Sequence, residues 1–327
     1  MKSYIRFAVC VLAAALAVPV LHADVKTREK SLVKFEGMLG GAVRMFGGSA
    51  AKDGITSTVA IKGDRMARIN DQSGEIIDLH EQKVYHLDMK KKSYSVITFA
   101  QMREQMEKAR ADAEKRAKEM KPEEKQQMEE AGKQLEFDYD VKQTGQHKNL
   151  LGYDTHEVVM TVTAREKGKT LEEGGGFVMT TTMWMAPKIA ALDEVMQFQL
   201  RYFKAVYGES FAMDMQQMAS MLAMYPSFKT MAEKAQAESG KMQGTPVSTA
   251  MVFETVKSAD EMKQTSQQSS GGASGGIGGL LARRMMGNRG QPQQRTATFS
   301  TQTDRLSIET TVSADDVAIP AGFKGKK

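Results

Sequence analysis

Short apolar runs alternate with tight polar turns along the first hundred residues. Each run is rich in β-branched or aromatic residues, and this rhythm predicts an antiparallel meander of strands. Within the run at 83–88, Tyr85 and Leu87 alternate with His86 and Asp88, so one face of that strand is predicted to enter a core and the other to meet water. The strands are predicted at 30–35, 56–62, 65–70, 74–79, 83–88 and 93–98.

The same strand signal returns in the second half of the chain. The run at 176–185 reads Gly-Phe-Val-Met-Thr-Thr-Thr-Met-Trp-Met and follows two further glycines, and it has strong β character. Residues 24–327 are therefore expected to form a single α+β domain built on an antiparallel sheet. The further strands are predicted at 135–143, 153–164, 176–185, 245–256, 295–301 and 305–312.

Residues 99–134 show helical periodicity with a thin apolar stripe. Met102 and Met106 recur among many charged side chains, and Pro122 is expected to interrupt the helix. A solvated helical insertion with charge pairs is the favoured interpretation, and a coiled coil or a partner-binding helix is the alternative.

A second helical region is much more apolar. Residues 189–206 and 211–234 place apolar side chains at spacings of three and four, so these helices are predicted to pack on the sheet. Methionine is frequent, at 25 of 327 residues, and Met-rich surfaces suit ligands of variable shape. The same methionines also suit an ordinary core or lid packing, and thioether metal trafficking is a third hypothesis.

Residues 264–294 are rich in Gly, Ser and Gln, which predicts a disordered loop between strands. Within it, residues 280–286 combine Leu, Met and Arg. An incidental cluster in a mobile loop is the favoured interpretation of this short basic patch, and contact with an anionic membrane surface is the alternative.

The first 23 residues have the layout of a secretory signal peptide. Lys2 and Arg6 precede an apolar run at 7–21, and Ala23 offers a cleavage site. We therefore expect a periplasmic or secreted protein with no stable membrane anchor. Cys10 is the only cysteine, so a chain cleaved after Ala23 has no disulfide, thiolate nucleophile or cysteine metal ligand. The net charge of +5 is too mild to argue for a nucleic-acid partner.

No catalytic motif with the required spacing is present. His80 and His86 flank a predicted hairpin near Asp78 and Asp88, which permits a metal hypothesis, but polar hairpin faces produce such clusters without a metal. Acid pairs at 138/140 and 315/316 lie beside strand and chain ends, where solvated turns explain them. The prediction is a protein that is not an enzyme, with no catalytic residues, metal or cofactor.

Several segments carry a family resemblance. IKGDRMARI at 61–69, GEIIDLH at 74–80 and VYHLDMKKKSY at 84–94 resemble exported bacterial proteins of the domain-of-unknown-function family 4412, which in turn look like distant relatives of the LolA and LolB lipoprotein carriers. The segments MWMAPK at 183–188, GTPV at 244–247 and VAIPAGFK at 317–324 are similar to features of the same group. The resemblance implies an incomplete antiparallel barrel, with helices packed on its concave apolar face.

This fold leads to a hypothesis of function. The expected role is non-catalytic binding of a lipid or another hydrophobic ligand, because ligand pockets are concave and mostly apolar. The helical stripe and strand face give the candidate ligand-binding residues Trp184, Met196, Phe203, Met218 and Leu222. The alternative is an envelope interaction or scaffold protein with a filled core, in which the helix at 99–134 meets a protein partner. A hydrolase or metalloenzyme built on His80 and His86 is the third hypothesis.

Overall fold

The computed structural model describes residues 24–36, 52–124, 126, 130, 134–208, 226–270 and 294–326. The predicted signal peptide and the basic patch at 280–286 lie outside these ranges, as do the predicted site residues Met218 and Leu222. Within the described ranges, no helix combines the length and apolar character that crossing a membrane requires.

Twelve strands from the described ranges form one curved, unclosed sheet, in the order β12-β6-β5-β4-β3-β2-β1-β11-β10-β9-β8-β7. All neighbours pair antiparallel except β12, which pairs parallel with β6. This confirms the predicted α+β class and the antiparallel meander. The strands are β1 (Val25–Phe35), β2 (Ile55–Lys62), β3 (Arg65–Ile69), β4 (Ser73–Asp78), β5 (Lys83–Asp88), β6 (Ser93–Thr98), β7 (Leu135–Leu150), β8 (Tyr153–Glu166), β9 (Gly176–Ala186), β10 (Thr245–Val256), β11 (Arg295–Glu309) and β12 (Lys324–Gly325).

A single strand, β11, lies where two strands were predicted at 295–301 and 305–312. The polar residues near 302–304 suggested a turn, yet β11 continues through them. The carboxylate of Asp304 accepts a hydrogen bond from the Ser248 hydroxyl at 2.6 Å and another from the Gln302 amide at 2.8 Å. Side-chain partners within the sheet satisfy these polar groups, so the strand does not need to end there.

The helices of the described ranges are α1 (Phe99–Glu119), α2 (Leu171–Gly174), α3 (Ala190–Tyr207), α4 (Pro226–Glu238) and α5 (Ala259–Ser270). A capping box between Thr98 and Gln101 starts α1. The helix ends shortly before Pro122, as predicted, because a proline disfavours helical backbone in the residue that precedes it. The first residues of the predicted loop at 264–294 belong to α5, and residues 271–293 lie outside the described ranges.

In the meander half of the sheet, β2–β6, strands β2–β5 carry buried residues on both faces. This corrects the prediction for β5, because Val84 on one face and Tyr85 and Leu87 on the other are only 2%, 8% and 4% exposed. On the first face, α1 and α3 cover cluster 1, whose buried residues include Val25, Ile61, Met66, Ile77, Val84, Phe99 and Phe198. On the second face lies cluster 2, which contains Ala60, Ala67, Ile76, Tyr85, Leu87, Val312 and Val317. The second face is buried because the C-terminal segment at 310–323 packs against it.

Hydrogen bonds from lysines of β1 and β2 hold the C-terminal segment against the sheet. The ammonium group of Lys26 lies 2.6 Å from the Asp316 carboxylate, and Lys62 donates to the carbonyl of Val312 at 2.9 Å. The segment then adds β12 to the edge of β6. At the other edge of the sheet, Lys241 donates to the Val141 carbonyl of β7 at 3.1 Å. At each edge, these contacts occupy backbone N–H or C=O groups that would otherwise be free to pair with a further strand.

Candidate functional site

Six phenylalanines form a continuous row across the outer half of the sheet and onto α4. The distances between successive ring centroids are 6.3, 5.3, 5.3, 6.5 and 4.6 Å, so each ring is within aromatic contact range of the next. The phenylalanine row consists of Phe35, Phe299, Phe253, Phe177, Phe137 and Phe228.

Strand register builds this row. Phe35 pairs with Phe299, which in turn pairs with Phe253, so three strands contribute rings at directly opposed positions. On β8 the corresponding position is Ala164, which pairs with both Phe137 and Phe177. Its small side chain is fully buried, which allows the two flanking rings to approach across the strand.

The row is only partly covered. Phe35 is 39% exposed, and two apolar residues further along the same face, Val33 and Ile55, are 44% and 41% exposed. Strand β11 lies between β1 and β10, yet none of its 15 residues is buried. The described part of the chain therefore leaves the apolar side chains of Phe35, Val33 and Ile55 partly exposed on this side of the sheet. Contiguous exposed apolar patches of this kind mark binding surfaces in soluble proteins.

On β1, the phenylalanine row and cluster 1 lie on the same face of the strand. Residues 25–35 of β1 alternate regularly, because the register shift between β1 and β11 leaves the β1–β2 pairing unbroken. Val25 and Phe35 therefore point to the same face. Helix α3 covers this face near Val25, while α4 covers it at the far end, where Phe228 meets Phe137. Between the two helices, the described residues leave an open strip around Phe35, Phe299 and Phe253.

Two of the predicted site residues lie on α3. Met196 is 58% exposed and Phe203 is 37% exposed, and with Leu200 they form a stripe with spacings of four and three. The ring of Phe203 contacts Tyr202 and Tyr207. The stripe flanks the buried side of the helix, where Phe198 is 0% exposed. The apolar arc of α3 is thus wider than the part that the sheet covers.

Trp184, the third described candidate, lies apart from the row. It is half-buried on β9, and the ammonium group of Lys148 lies 3.7 Å from its ring centroid, a cation–π contact. Successive strand residues point to opposite faces, so Trp184 faces away from Phe177. The structure therefore brings Met196 and Phe203 onto one helical face but does not join Trp184 to the row.

The polar groups singled out from the sequence have structural partners. His86 lies 3.7 Å from Glu75, and His80 is exposed. Asp138 pairs with Arg165 at 3.1 Å and with Lys234 at 3.3 Å. Within the described residues, no group of three or more His, Cys, Asp or Glu side chains could hold a metal ion.

Burial strongly raises the pKa of two tyrosines. Burial raises the pKa of Tyr202 to about 12, where its ring meets Phe99 with 5.5 Å between centroids. Burial, followed by a hydrogen bond to Glu81, raises the pKa of Tyr85 to about 12. Both hydroxyls stay protonated at neutral pH, so neither acts as a base there.

No protein-family model matches the chain, and no curated protein matches it. The resemblance to the domain-of-unknown-function family 4412 and to the LolA and LolB carriers stays a prediction from the quoted motifs.

Proposed function

We propose that this protein is a non-catalytic periplasmic carrier that binds an acyl chain or a similar extended apolar molecule along the phenylalanine row. The observation that carries the proposal is the half-exposed row at the centre of an unclosed sheet. The resemblance to LolA-like carriers adds support from the sequence, as does the predicted signal peptide.

The dimensions of the row suit such a ligand. From Phe35 to Phe137 it crosses five strand spacings, or roughly 24 Å at about 4.8 Å per spacing. One leaflet of a bilayer has a hydrocarbon depth of about 15 Å, which is the span of a membrane acyl chain. An extended acyl chain therefore fits within the length of the row.

The expected affinity follows from apolar burial. Each methylene removed from water contributes about 0.8 kcal/mol, so the equivalent of about ten buried methylenes gives roughly 8 kcal/mol, which corresponds to a micromolar complex. Aromatic faces accept chains of different length without a specific polar contact. The ligand class is accordingly defined by its extended apolar part rather than by its headgroup.

The test compares a row variant with a matched phenylalanine on the other face. Phe253→Ala combined with Phe299→Ala is expected to weaken binding of a fluorescent long-chain fatty acid at least about tenfold, because two adjacent rings of the open strip are lost. Phe323→Ala is the control, since Phe323 is equally half-buried but packs against cluster 2. Its affinity should match that of the wild type, with circular dichroism confirming that all proteins are folded.

Two outcomes would overturn this function. The first is a wild-type protein that takes up no fatty acid or phospholipid, and the second is an equal loss of affinity in the Phe323 control. Absent uptake together with crosslinking of a protein to α1 would favour the envelope scaffold instead. Every residue of α1 from 107 to 119 is exposed, which is the observation behind that alternative.

A further inference from the structure

Five lysines gather at one corner of the sheet. Lys90, Lys91 and Lys92 form the turn between β5 and β6, and the C-terminal strand brings Lys324 and Lys326 beside them. The Lys324 amide donates to the Lys92 carbonyl at 3.0 Å, and the Lys326 amide donates to the Tyr94 carbonyl at 2.7 Å. The backbone therefore holds both ends of this lysine cluster in place.

The cluster is strongly positive. All five lysines are exposed, and the acid inside the cluster is Asp88. The Lys91 amide donates to its carboxylate at 2.9 Å, and this bond lowers the pKa of Asp88, with smaller contributions from the charges of Lys91 and Lys326. Asp71 lies in the neighbouring turn. Since the whole chain carries a net charge of only +5, a large share of its excess charge is concentrated here.

The cluster lies at the same end of the sheet as the phenylalanine row. Strands β1 through β5 pair antiparallel in sequence order, so β1 and β5 run in the same direction and end on the same side. Phe35 is the last residue of β1, and Asp88 is the last residue of β5. Strands β1 and β5 are four strand spacings apart, or roughly 19 Å. The register places Leu87 level with Arg28, so Phe35 lies a further seven residues, or roughly 23 Å, along the strand direction.

We propose that the lysine cluster docks the protein on an anionic lipid bilayer, with this end of the sheet facing the lipid. Clusters of four to eight basic residues bind anionic membrane surfaces, and each lysine near the surface strengthens binding about fivefold. The attraction acts within a Debye length, about 8 Å at physiological salt, so docking is peripheral and reversible. The exchange of an acyl chain at that end rests on the proposed function, whereas the docking itself does not.

Vesicle flotation of the full chain tests the docking. Vesicles with about 30% phosphatidylglycerol should bind the protein at low salt, whereas phosphatidylcholine vesicles or salt near 0.5 M should release it. Lys90→Glu with Lys92→Glu should lower partitioning at least about 25-fold, and Lys324→Glu with Lys326→Glu should do the same. Lys115→Glu with Lys118→Glu on exposed α1 makes an identical charge change and should reduce partitioning far less.

Three results would overturn the proposal. They are equal losses in the cluster and α1 variants, vesicle binding that ignores lipid charge, and binding to a DNA duplex without binding to anionic vesicles. The variant with Phe253→Ala and Phe299→Ala separates the two proposals. It retains the lysine cluster, so it should still dock on anionic vesicles whether or not wild-type protein carries a fatty acid.

Discussion

The two halves of the sheet have the same kind of strand pairing but very different burial. In the meander half, adjacent residues such as Ala60 and Ile61 are both buried, since helices cover one face and the C-terminal segment covers the other. In the outer half, the central strand β11 has no buried residue. Hydrogen-bonded pairing of strands therefore does not by itself produce a buried core. The meander half contributes to both of the larger buried clusters, and the proposed function assigns the exposed apolar surface of the outer half to ligand binding.

The largest expected effect contrasts one phenylalanine from each region. Phe198→Ala should lower the free energy of unfolding by about 3–5 kcal/mol, because a fully buried ring leaves a cavity in cluster 1. Phe299→Ala should cost only about 1 kcal/mol, because its ring is only partly buried. Urea unfolding followed by circular dichroism measures both. An equal loss of unfolding free energy in both variants would show that the phenylalanine row is as well packed as cluster 1. The proposed contrast between a packed half and a binding half of the sheet would then be wrong.

An effect of intermediate size is expected for the ion pair between Lys26 and Asp316, which holds the C-terminal segment against the meander half. The hydrogen bond from Lys26 lowers the pKa of Asp316 and raises that of Lys26. The carboxylate therefore contributes stability that is fully present above its unfolded pKa of about 3.9 and is lost as pH falls through the lower folded pKa. The ammonium group contributes below about pH 10.4 and loses its contribution as pH rises through its higher folded pKa.

Asp316→Asn should accordingly cost about 1 kcal/mol at pH 7, and the cost should shrink toward zero well below pH 4. The measurement is urea unfolding of both proteins at the two pH values. Asp315→Asn is the control, since its side chain is exposed beside the pair. A cost that stays constant down to low pH would mean that the carboxylate acts through packing rather than charge.

The smallest effect concerns the exposed stripe of α3. Met196→Ala should change the free energy of unfolding by less than about 0.5 kcal/mol, because that side chain is more than half exposed. Leu192→Ala on the buried side of the same helix should cost about 2–5 kcal/mol. Thermal or urea unfolding compares the two. A large cost at Met196 would show that the stripe belongs to a packed interior.

Local signals predicted the meander well. Its strands and turns follow one another along the chain, so alternation and turn residues place them within a residue or two. The end of α1 was likewise predictable from Pro122. Two-sided burial was not predictable, because the covering residues Val312 and Val317 come from the other end of the chain.

The candidate site depended on still longer-range contacts. Ser31 and Thr303 are 272 positions apart, yet their hydroxyls lie 3.2 Å from each other across β1 and β11. Without that pairing, Phe35 and Phe299 are isolated residues in separate strands. The signal available in the sequence was a phenylalanine near the same end of each strand, which becomes meaningful only when strand order is known. Helical periodicity instead pointed to Met196 and Phe203, which lie on the flank of α3.

The pairing of β1 with β11 also sets the order of events during synthesis. The meander can form as soon as its residues emerge, but β1 must wait for residues 295–309 to meet its second partner. Cluster 2 must wait longer, for the final segment of the chain. Such distant pairings form slowly, because the intervening chain has to be ordered first. A newly synthesised chain therefore remains incompletely folded until the residues of β11 and of the segment at 310–323 are available.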